Sequence, residues 1–520
     1  MMNKLILTRF KRASNKSTIF SSALLGALMF VMASCQKNEV SNKESIPFDP
    51  GKPVVASSFA PDQGRIRDYV MISGSNFGND VSAIKVFFNS TEAKVISSIG
   101  SRILVVVPRC LPGDTEISVQ IADQPRQTLP DKFFYKVSAQ VTTLAGASGT
   151  FNISGGTLDK AVFRATYLAV DAEYNLYATV QDQGLLLLNE EQNSIRMIMT
   201  FDEGFDHRAV PRIHPQTGEL LCGAERDRDR FIIINPANGW DTKMKFIKNW
   251  NYNGYPAPFS GGSQNGYDPN WAHYGFMFCE WDEMYYTRYS CGHIVRIDPV
   301  TWEATVIGRT PPGACYGIGF NTATDRDQNG NRINLHTASD KRKELWISYN
   351  NDLNTPAYWQ GKIFSVDITD TQKWSDLHPG EVHEANGATN AFAGPWTTMN
   401  TDYNQLMSSF TLQIGEMGAG NGFRDGPFEI ARINNPRAMS FDDDGNLFLG
   451  DHGNHCIRQI DTKARLVTTL VGIPQSSGYV DGARESAKFA NPHGIVTNRE
   501  GNIIYVADYN NYKIRKITIE

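Results

Sequence analysis

The sequence predicts an all-β protein in which a small β-sandwich precedes a closed β-propeller. Three observations carry that expectation. Residues 53–137 read as short alternating strands cut by Gly and Pro. The C-terminal part repeats itself at a spacing of 56 residues. A segment near the start of the repeats, Val141-Thr142-Thr143-Leu144-Ala145, matches the one strand that the last repeat lacks.

The N-terminus comes first in chain order. Lys4, Arg9, Lys11, Arg12 and Lys16 form a basic region with no acidic residue before Cys35, and an apolar run follows from Ile19 to Ala33. Small residues, Ala33-Ser34, then stand directly before Cys35, which is the layout of a secretory signal. An uncleaved membrane helix is the alternative, but the apolar run falls short of the roughly 20 residues that a spanning helix needs. Val31-Met32-Ala33-Ser34-Cys35 resembles a bacterial lipobox, with Met32 where Leu is more usual. The resemblance implies a signal peptide over residues 1–34 and a lipidated Cys35 at the head of the mature chain. Gln36-Lys37-Asn38-Glu39 resembles the export signal of surface lipoproteins from glycan-scavenging Gram-negative gut bacteria. That implies an outer-membrane protein, lipid-anchored and facing the exterior, because acyl chains at one Cys anchor stably without spanning.

Charge narrows the partners. Loss of residues 1–34 removes five cations and moves the formal charge from −5 to −10. With no basic stripe in the remainder, nucleic acid is not an expected partner. The cysteines after Cys35 form no C-x-x-C and no zinc-type cluster. A Cys279–Cys291 disulfide is conceivable, and buried free thiols are the plainer reading.

Residues 35–52 are polar with few apolar anchors and read as a tether. The sandwich strands follow, clearest at Tyr69–Ile72, Lys85–Phe88, Arg102–Val107 and Ile117–Ile121. Within them stand Pro61-x-x-Gly64, Gly74-Ser75-Asn76-Phe77-Gly78, Val107-Pro108 and Pro112-Gly113. This order resembles the IPT/TIG family, which implies an immunoglobulin-like β-sandwich acting as spacer or interaction module. In the Gly-x-x-Phe-Gly turn the glycines are expected to take positive φ while Phe77 plugs the sandwich.

Residues 138–520 are the expected propeller. Asn435-Pro436-Arg437-Ala438-Met439 recurs as Asn491-Pro492-His493-Gly494-Ile495, and Asp444-Gly445-Asn446-Leu447-Phe448 as Glu500-Gly501-Asn502-Ile503-Ile504. Asp451-His452-Gly453-Asn454-His455-Cys456-Ile457-Arg458 recurs as Asp508-Tyr509-Asn510-Asn511-Tyr512-Lys513-Ile514-Arg515. Each unit reads strand, tight turn, strand, turn, strand, which is the grammar of a blade. The units resemble the NHL repeat family, which implies an NHL-type propeller. Six units are countable, and a seventh around Gly394-Pro395-Trp396 stays open. Val141–Ala145 is expected to complete the last blade and remove the open edge.

In a blade, the start of the innermost strand and the turn between second and third strands lie on one face. Alignment places Tyr167, Val210, Tyr274, Tyr316, Arg437 and His493 around the mouth of the central channel. Tyr rings offer an apolar face and a hydroxyl, which suits sugar rings; the competing reading makes them wedges between blades. All nine Trp lie between Trp240 and Trp396, together with the long insertions. Trp271, His273, Trp359 and Trp396 are therefore secondary candidates for a ligand site. Asp325, Asp327 and Asn329 resemble the first half of a calcium loop, but His336 stands where a bidentate Glu is required.

Some NHL propellers are lyases with a His-held zinc, and here only His493 occupies the rim position, with His273 beside Tyr274 and His214 deeper in a strand. No nucleophile elbow or carboxylate pair is recognisable. The expected function is therefore a non-catalytic glycan-binding lipoprotein serving an outer-membrane transporter complex. A protein-interaction scaffold and a channel-centred lyase or hydrolase are the alternatives.

Overall fold

Apolar residues at every second position from Val70 to Phe133 close a sandwich. In the computed structural model its strands are Val55–Ala60, Gln63–Gly64, Tyr69–Ser75, Ile84–Phe88, Thr91–Ser98, Arg102–Val106, Gly113–Ile121 and Gln127–Tyr135. The structure describes residues 46–147, 156–205, 210–214, 217–223, 230–246, 248–251, 276–278, 284–287, 293–298, 300–309, 315–320, 344–350, 360–367, 410–416 and 419–520. Val70, Ile72, Val86, Phe88, Val105 and Val119 turn inward, as period-two alternation requires. Phe77 fills the interior as expected. The turn achieves this differently from the sequence reading. Gly78 has φ +72° and Asn76 φ +61°, whereas Gly74 is needed for close approach, because a Cβ there would lie 1.9 Å from the Val55 carbonyl oxygen.

Six further sheets follow among the described residues. The first blade is Ala165–Val170, Leu176–Val180, Gly184–Asn189 and Ser194–Thr200, all antiparallel neighbours. The second is Pro211–Ile213, Leu220–Gly223, Arg230–Asn235 and Asp241–Phe246. The third runs Phe276–Phe278, Met284–Thr287, His293–Ile297 and Glu303–Arg309, with Lys248–Asn251 added in parallel at its outer edge. The fourth is Cys315–Phe320, Glu344–Tyr349, Ile363–Asp367 and Phe410–Ile414. The fifth is Pro436–Phe441, Asn446–Asp451, Cys456–Asp461 and Leu466–Val471. The sixth is Pro492–Thr497, Ile503–Asp508 and Lys513–Ile519, and its outer strand is Ala139–Ala145. The two ends of the propeller thus pair in one sheet, and Glu520 and Ser138 exchange backbone hydrogen bonds of 2.8 and 3.1 Å. The seventh unit considered around Gly394–Trp396 lies outside the described residues. No helix among the described residues is long and apolar enough to cross a membrane.

The repeat signature is a buried polar network, built twice. Arg458 Nη1 donates to Asp451 at 2.7 Å and Nη2 to Asp425 at 2.5 Å, while Asn454 Nδ2 donates to Asp451 at 2.9 Å. In the sixth blade Arg515 Nη1 donates to Asp508 at 2.7 Å, Nη2 to Asp481 at 2.6 Å, and Asn511 Nδ2 to Asp508 at 2.8 Å. Each guanidinium also donates to two carbonyls, so the buried charges meet paired and hydrogen-bonded surroundings. The turn between first and second strands, with an Asp four residues ahead of an Asn, is a second repeated device within the chain. Asp442 accepts from the backbone of Asp444 and Asn446 at 2.9 and 2.8 Å, and Asp171 does the same for Glu173 and Asn175 at 3.0 and 2.8 Å.

The sandwich is fastened to the same turns. Arg109 Nη1 donates to the Gly501 carbonyl at 2.6 Å and stands 3.9 Å from Asp442. Burial pushes the Asp442 carboxyl up to about 6, against its hydrogen bonds from Asn446 and the nearby Arg109. Cys110, Cys222 and Cys456 are buried free thiols whose pKa burial raises, so they pack as small apolar groups. Cys279 and Cys291 lie outside the described residues.

Candidate functional site

The innermost strands run side by side around the propeller axis. The Thr497 amide donates to Ser440 Oγ at 3.2 Å, linking sixth and fifth blades, and the His493 ring bonds the Thr166 carbonyl of the first blade. Four of the six innermost strands depart from regular register near their start. The break falls between Ala165 and Tyr167, between Cys315 and Gly317, between Pro436 and Met439, and between Pro492 and Ile495. A bulge re-aims the side chain it carries. Tyr316, Arg437 and His493 sit in these breaks, whereas in the first blade the break holds Thr166 and Tyr167 pairs with Thr179. The equivalence inferred from the repeats is a shared backbone feature for Tyr316, Arg437 and His493, and in the first blade Thr166 takes the place assigned to Tyr167.

Three of the six rim positions meet in one cavity of about 240 Å³, lined by Thr166, Tyr167, Gln181, Arg437, His452, His493 and Tyr509. Two tiers alternate around it. Tyr167, Arg437 and His493 come from the innermost strands of the first, fifth and sixth blades. Gln181, His452 and Tyr509 come from the turns between second and third strands of the same blades. Sequence reasoning missed this second tier. Its signal was present, since His452 and Tyr509 both follow the signature Asp, at Asp451 and Asp508.

The rings interlock. Tyr167 and His493 meet edge to face with centroids 5.1 Å apart, His452 and His493 at 5.7 Å, and His493 lies 5.3 Å from Tyr509 at a 35° tilt. Tyr167 is only 2% exposed, so it forms the wall of the cavity and not an open rim. It wedges the first blade against the sixth. The Tyr509 hydroxyl donates to Gln181 Oε1 at 3.4 Å, which ties first and sixth blades across the mouth. Arg164 stacks over Tyr509 and Tyr512, 4.7 and 4.4 Å from the ring centres, and donates to the Tyr512 hydroxyl.

Carbonyl oxygens only accept, so the ring contacts fix two tautomers. His493 Nδ1 donates to Thr166 O at 2.9 Å and His452 Nδ1 to Pro492 O at 3.3 Å. Burial, helped by the neighbouring Arg437 charge, pushes the His452 imidazole down to about 3. His452 is thus neutral at physiological pH, with Nε2 as its acceptor. Burial also lowers the Arg212 guanidinium beside Tyr167 to about 10, which still leaves it charged.

The other sequence candidates divide. Tyr316 occupies its strand break, and its side chain lies outside the described residues, as do Tyr274, Trp271, His273, Trp359 and Trp396. Asp325, Asp327 and Asn329, considered for calcium, and Cys35 lie outside them too. Val210 is buried ahead of the short strand Pro211–Ile213. His214 accepts from the Thr217 amide at 3.1 Å in a turn. Among the described residues no three His, Cys, Asp or Glu side chains are grouped to hold a metal ion. Trp302 and Trp346 are buried, and Trp346 packs against Phe428 and Phe441 between the fourth and fifth blades, so these two serve the core.

Comparison with known proteins agrees with both halves of this architecture. Residues 53–135 match the IPT/TIG domain family and residues 489–517 the NHL repeat family. NHL repeat-containing protein 2 of Bos taurus is 27% identical over 158 residues, which is 28% of this chain and 22% of that protein. The chain thus covers well under two thirds of that relative. A structural genomics protein of unknown function from Bacteroides thetaiotaomicron VPI-5482 has the same fold. It is 20% identical at a TM-score of 0.55, over 91% of this chain and 100% of that one. An auxiliary nutrient binding protein from the same organism is 22% identical at a TM-score of 0.49, over 91% and 99% of the two chains.

Proposed function

We propose, taking the IPT/TIG domain and the NHL repeat as premises, that the chain binds a nutrient glycan at the propeller mouth and leaves it chemically unchanged. One observation carries this reading: Tyr and His rings and hydrogen-bonding groups from three blades converge on a single cavity. A sugar offers the matching surface, with apolar ring faces for Tyr509 and hydroxyls for Gln181, His452 and Arg437. At about 240 Å³ the cavity lies below the ~300–1,000 Å³ of typical small-molecule pockets, which suits one end unit of a longer chain. Most glycoside hydrolases place a pair of carboxyl groups across the bond they cleave. The described lining residues include none.

The N-terminal features complete the proposal. Lipidation at Cys35 anchors the protein to the outer membrane, the polar stretch ahead of Phe48 (which itself packs on the sandwich core) lifts it clear, and the IPT/TIG domain spaces the propeller outward. A transporter complex in the same membrane would receive the captured glycan.

Calorimetric titration of the full chain in detergent micelles against a polysaccharide panel tests the reading. One or more glycans should bind, and Tyr509→Ala and His452→Ala should each weaken binding about tenfold, or ~1.4 kcal/mol. Failure to bind anything across a broad panel would remove the proposal. Binding indifferent to both variants would move the site elsewhere.

A further inference from the structure

Resting on the glycan-binding reading above, we infer that the cavity selects an anionic sugar unit, one bearing a carboxylate or a sulfate, held by Arg437. The first ground is charge. The full chain carries a formal −5, yet the cavity is lined by a guanidinium, two imidazoles, an amide and hydroxyls, with no carboxylate among the described lining residues. Two further cations stand behind its aromatic walls, Arg164 stacked on Tyr509 and Arg212 near Tyr167. Against these cations stands the exposed carboxylate of Asp182, which accepts from Gln181 Nε2 at 3.3 Å. The balance around the cavity stays positive in an acidic protein, and a low-dielectric cleft focuses such a field onto its ligand.

The second ground is geometry. The strand break between Pro436 and Met439 presents Arg437 to the cavity, and a guanidinium matches the two oxygens of a carboxylate or sulfate better than it matches a sugar hydroxyl. Burial first, and the Arg437 charge beside it, keep the His452 imidazole unprotonated. A neutral His452 accepts from a sugar hydroxyl while Arg437 takes the anion, so the two groups divide the recognition between them.

A contrast within the molecule sharpens the point. The larger cleft of about 460 Å³ between sandwich and propeller is lined by Asp425, Glu485, Arg484 and Lys136 together. Its charges are mixed, with Asp425 bonded to Arg458 and Glu485 3.5 Å from Arg484, so it offers no net preference for an anion.

The test uses matched pairs at 0.15 M salt, where long-range surface attraction is screened within about 8 Å. Polygalacturonate is titrated beside its carboxyl-reduced form, and dextran sulfate beside dextran, into the full chain and into Arg437→Gln and Arg437→Lys. The charged member of at least one pair should bind at least tenfold more tightly than its neutral counterpart. Arg437→Gln should abolish that preference and Arg437→Lys retain part of it, with unchanged circular dichroism in both. The pair that discriminates tells carboxylate from sulfate. Neutral members binding as tightly as charged ones, or a preference untouched in Arg437→Gln, would overturn the inference and leave glycan binding standing. Binding of no glycan, charged or neutral, would overturn both.

Discussion

Replacing Arg515 by Met removes a buried charge whose partners cannot follow it to water. Arg515 is 0% exposed and so is Asp508, its partner at 2.7 Å. Asp508 would keep donors from Asn511 at 2.8 Å and the Ala490 amide at 2.7 Å, but not a countercharge. The Lys488 and Val480 carbonyls would each lose a donor as well. Asp481, half open to solvent, rehydrates at little cost. Met preserves the apolar contacts with the Tyr479 and Phe489 rings, each 5.0 Å from the guanidinium carbon, so cavity formation contributes little. Breaking one side of a buried ion pair costs about 3–5 kcal/mol, and that is the expected loss in urea unfolding at pH 7. Burial already raises the Asp508 carboxyl against the pull of its partners, and loss of Arg515 removes one of those partners, so the deficit should shrink on acidification. Arg515→Met/Asp508→Asn removes both charges and should recover all but about 1–2 kcal/mol. A single-variant cost under about 1 kcal/mol, or a double variant that costs the sum of its singles, would refute the reasoning.

The remaining predictions concern the site and its supports. A Cβ at Gly494 would lie 2.4 Å from the Thr166 carbonyl oxygen, so Gly494→Ala should cost about 1–3 kcal/mol and weaken ligand binding. Gly420→Ala, with nothing within 4 Å of the new atom, should stay within about 0.5 kcal/mol by the same melt. Arg109→Ala deletes the bond to Gly501 and strips Asp442 of a neighbouring cation, so it should raise hydrogen exchange at residues 498–502 and cost about 1–3 kcal/mol. The Asp442 carboxyl titrates near 6 when folded, above its ordinary value of 3.8, so its contribution to stability is present below pH 3.8 and is lost as pH rises through 6. The Arg109→Ala deficit should accordingly be larger at pH 8 than at pH 5. His452 is shifted the other way, to about 3 from 6.5, so protonation favours the unfolded chain and stability falls as pH drops from about 6.5 toward 3. His452→Gln should make that acid slope shallower in urea midpoints measured against pH.

Much of the architecture was legible because its physics is local. Alternation at Val70, Ile72, Val86 and Phe88 needs only the pleat of a strand. The spacing of Asp451, Asn454 and Arg458, repeated at Asp508, Asn511 and Arg515, follows from a single buried network that tolerates few substitutes. The pairing of Ala139–Ala145 with Lys513–Ile519 was legible from a missing strand. Other features depend on what a neighbouring blade does. The burial of Tyr167 results from the His493 ring and the Gly494 approach, both far away in sequence. Gln181 joins the cavity without the Asp that precedes His452 and Tyr509, because the first blade departs from the signature at Val180. The role of Gly74 turned on the position of Val55, which no local pattern specifies.

The central claim is that the ligand of this chain sits among Tyr509, His452 and Arg437. A crystal structure with the tightest-binding oligosaccharide of the panel tests it most directly. The account predicts density for one sugar unit in that cavity, its ring against Tyr509, a hydroxyl donating to His452 Nε2 and its charged group on Arg437. Density confined to another surface, such as the cleft between sandwich and propeller, with this cavity holding only water, would contradict it.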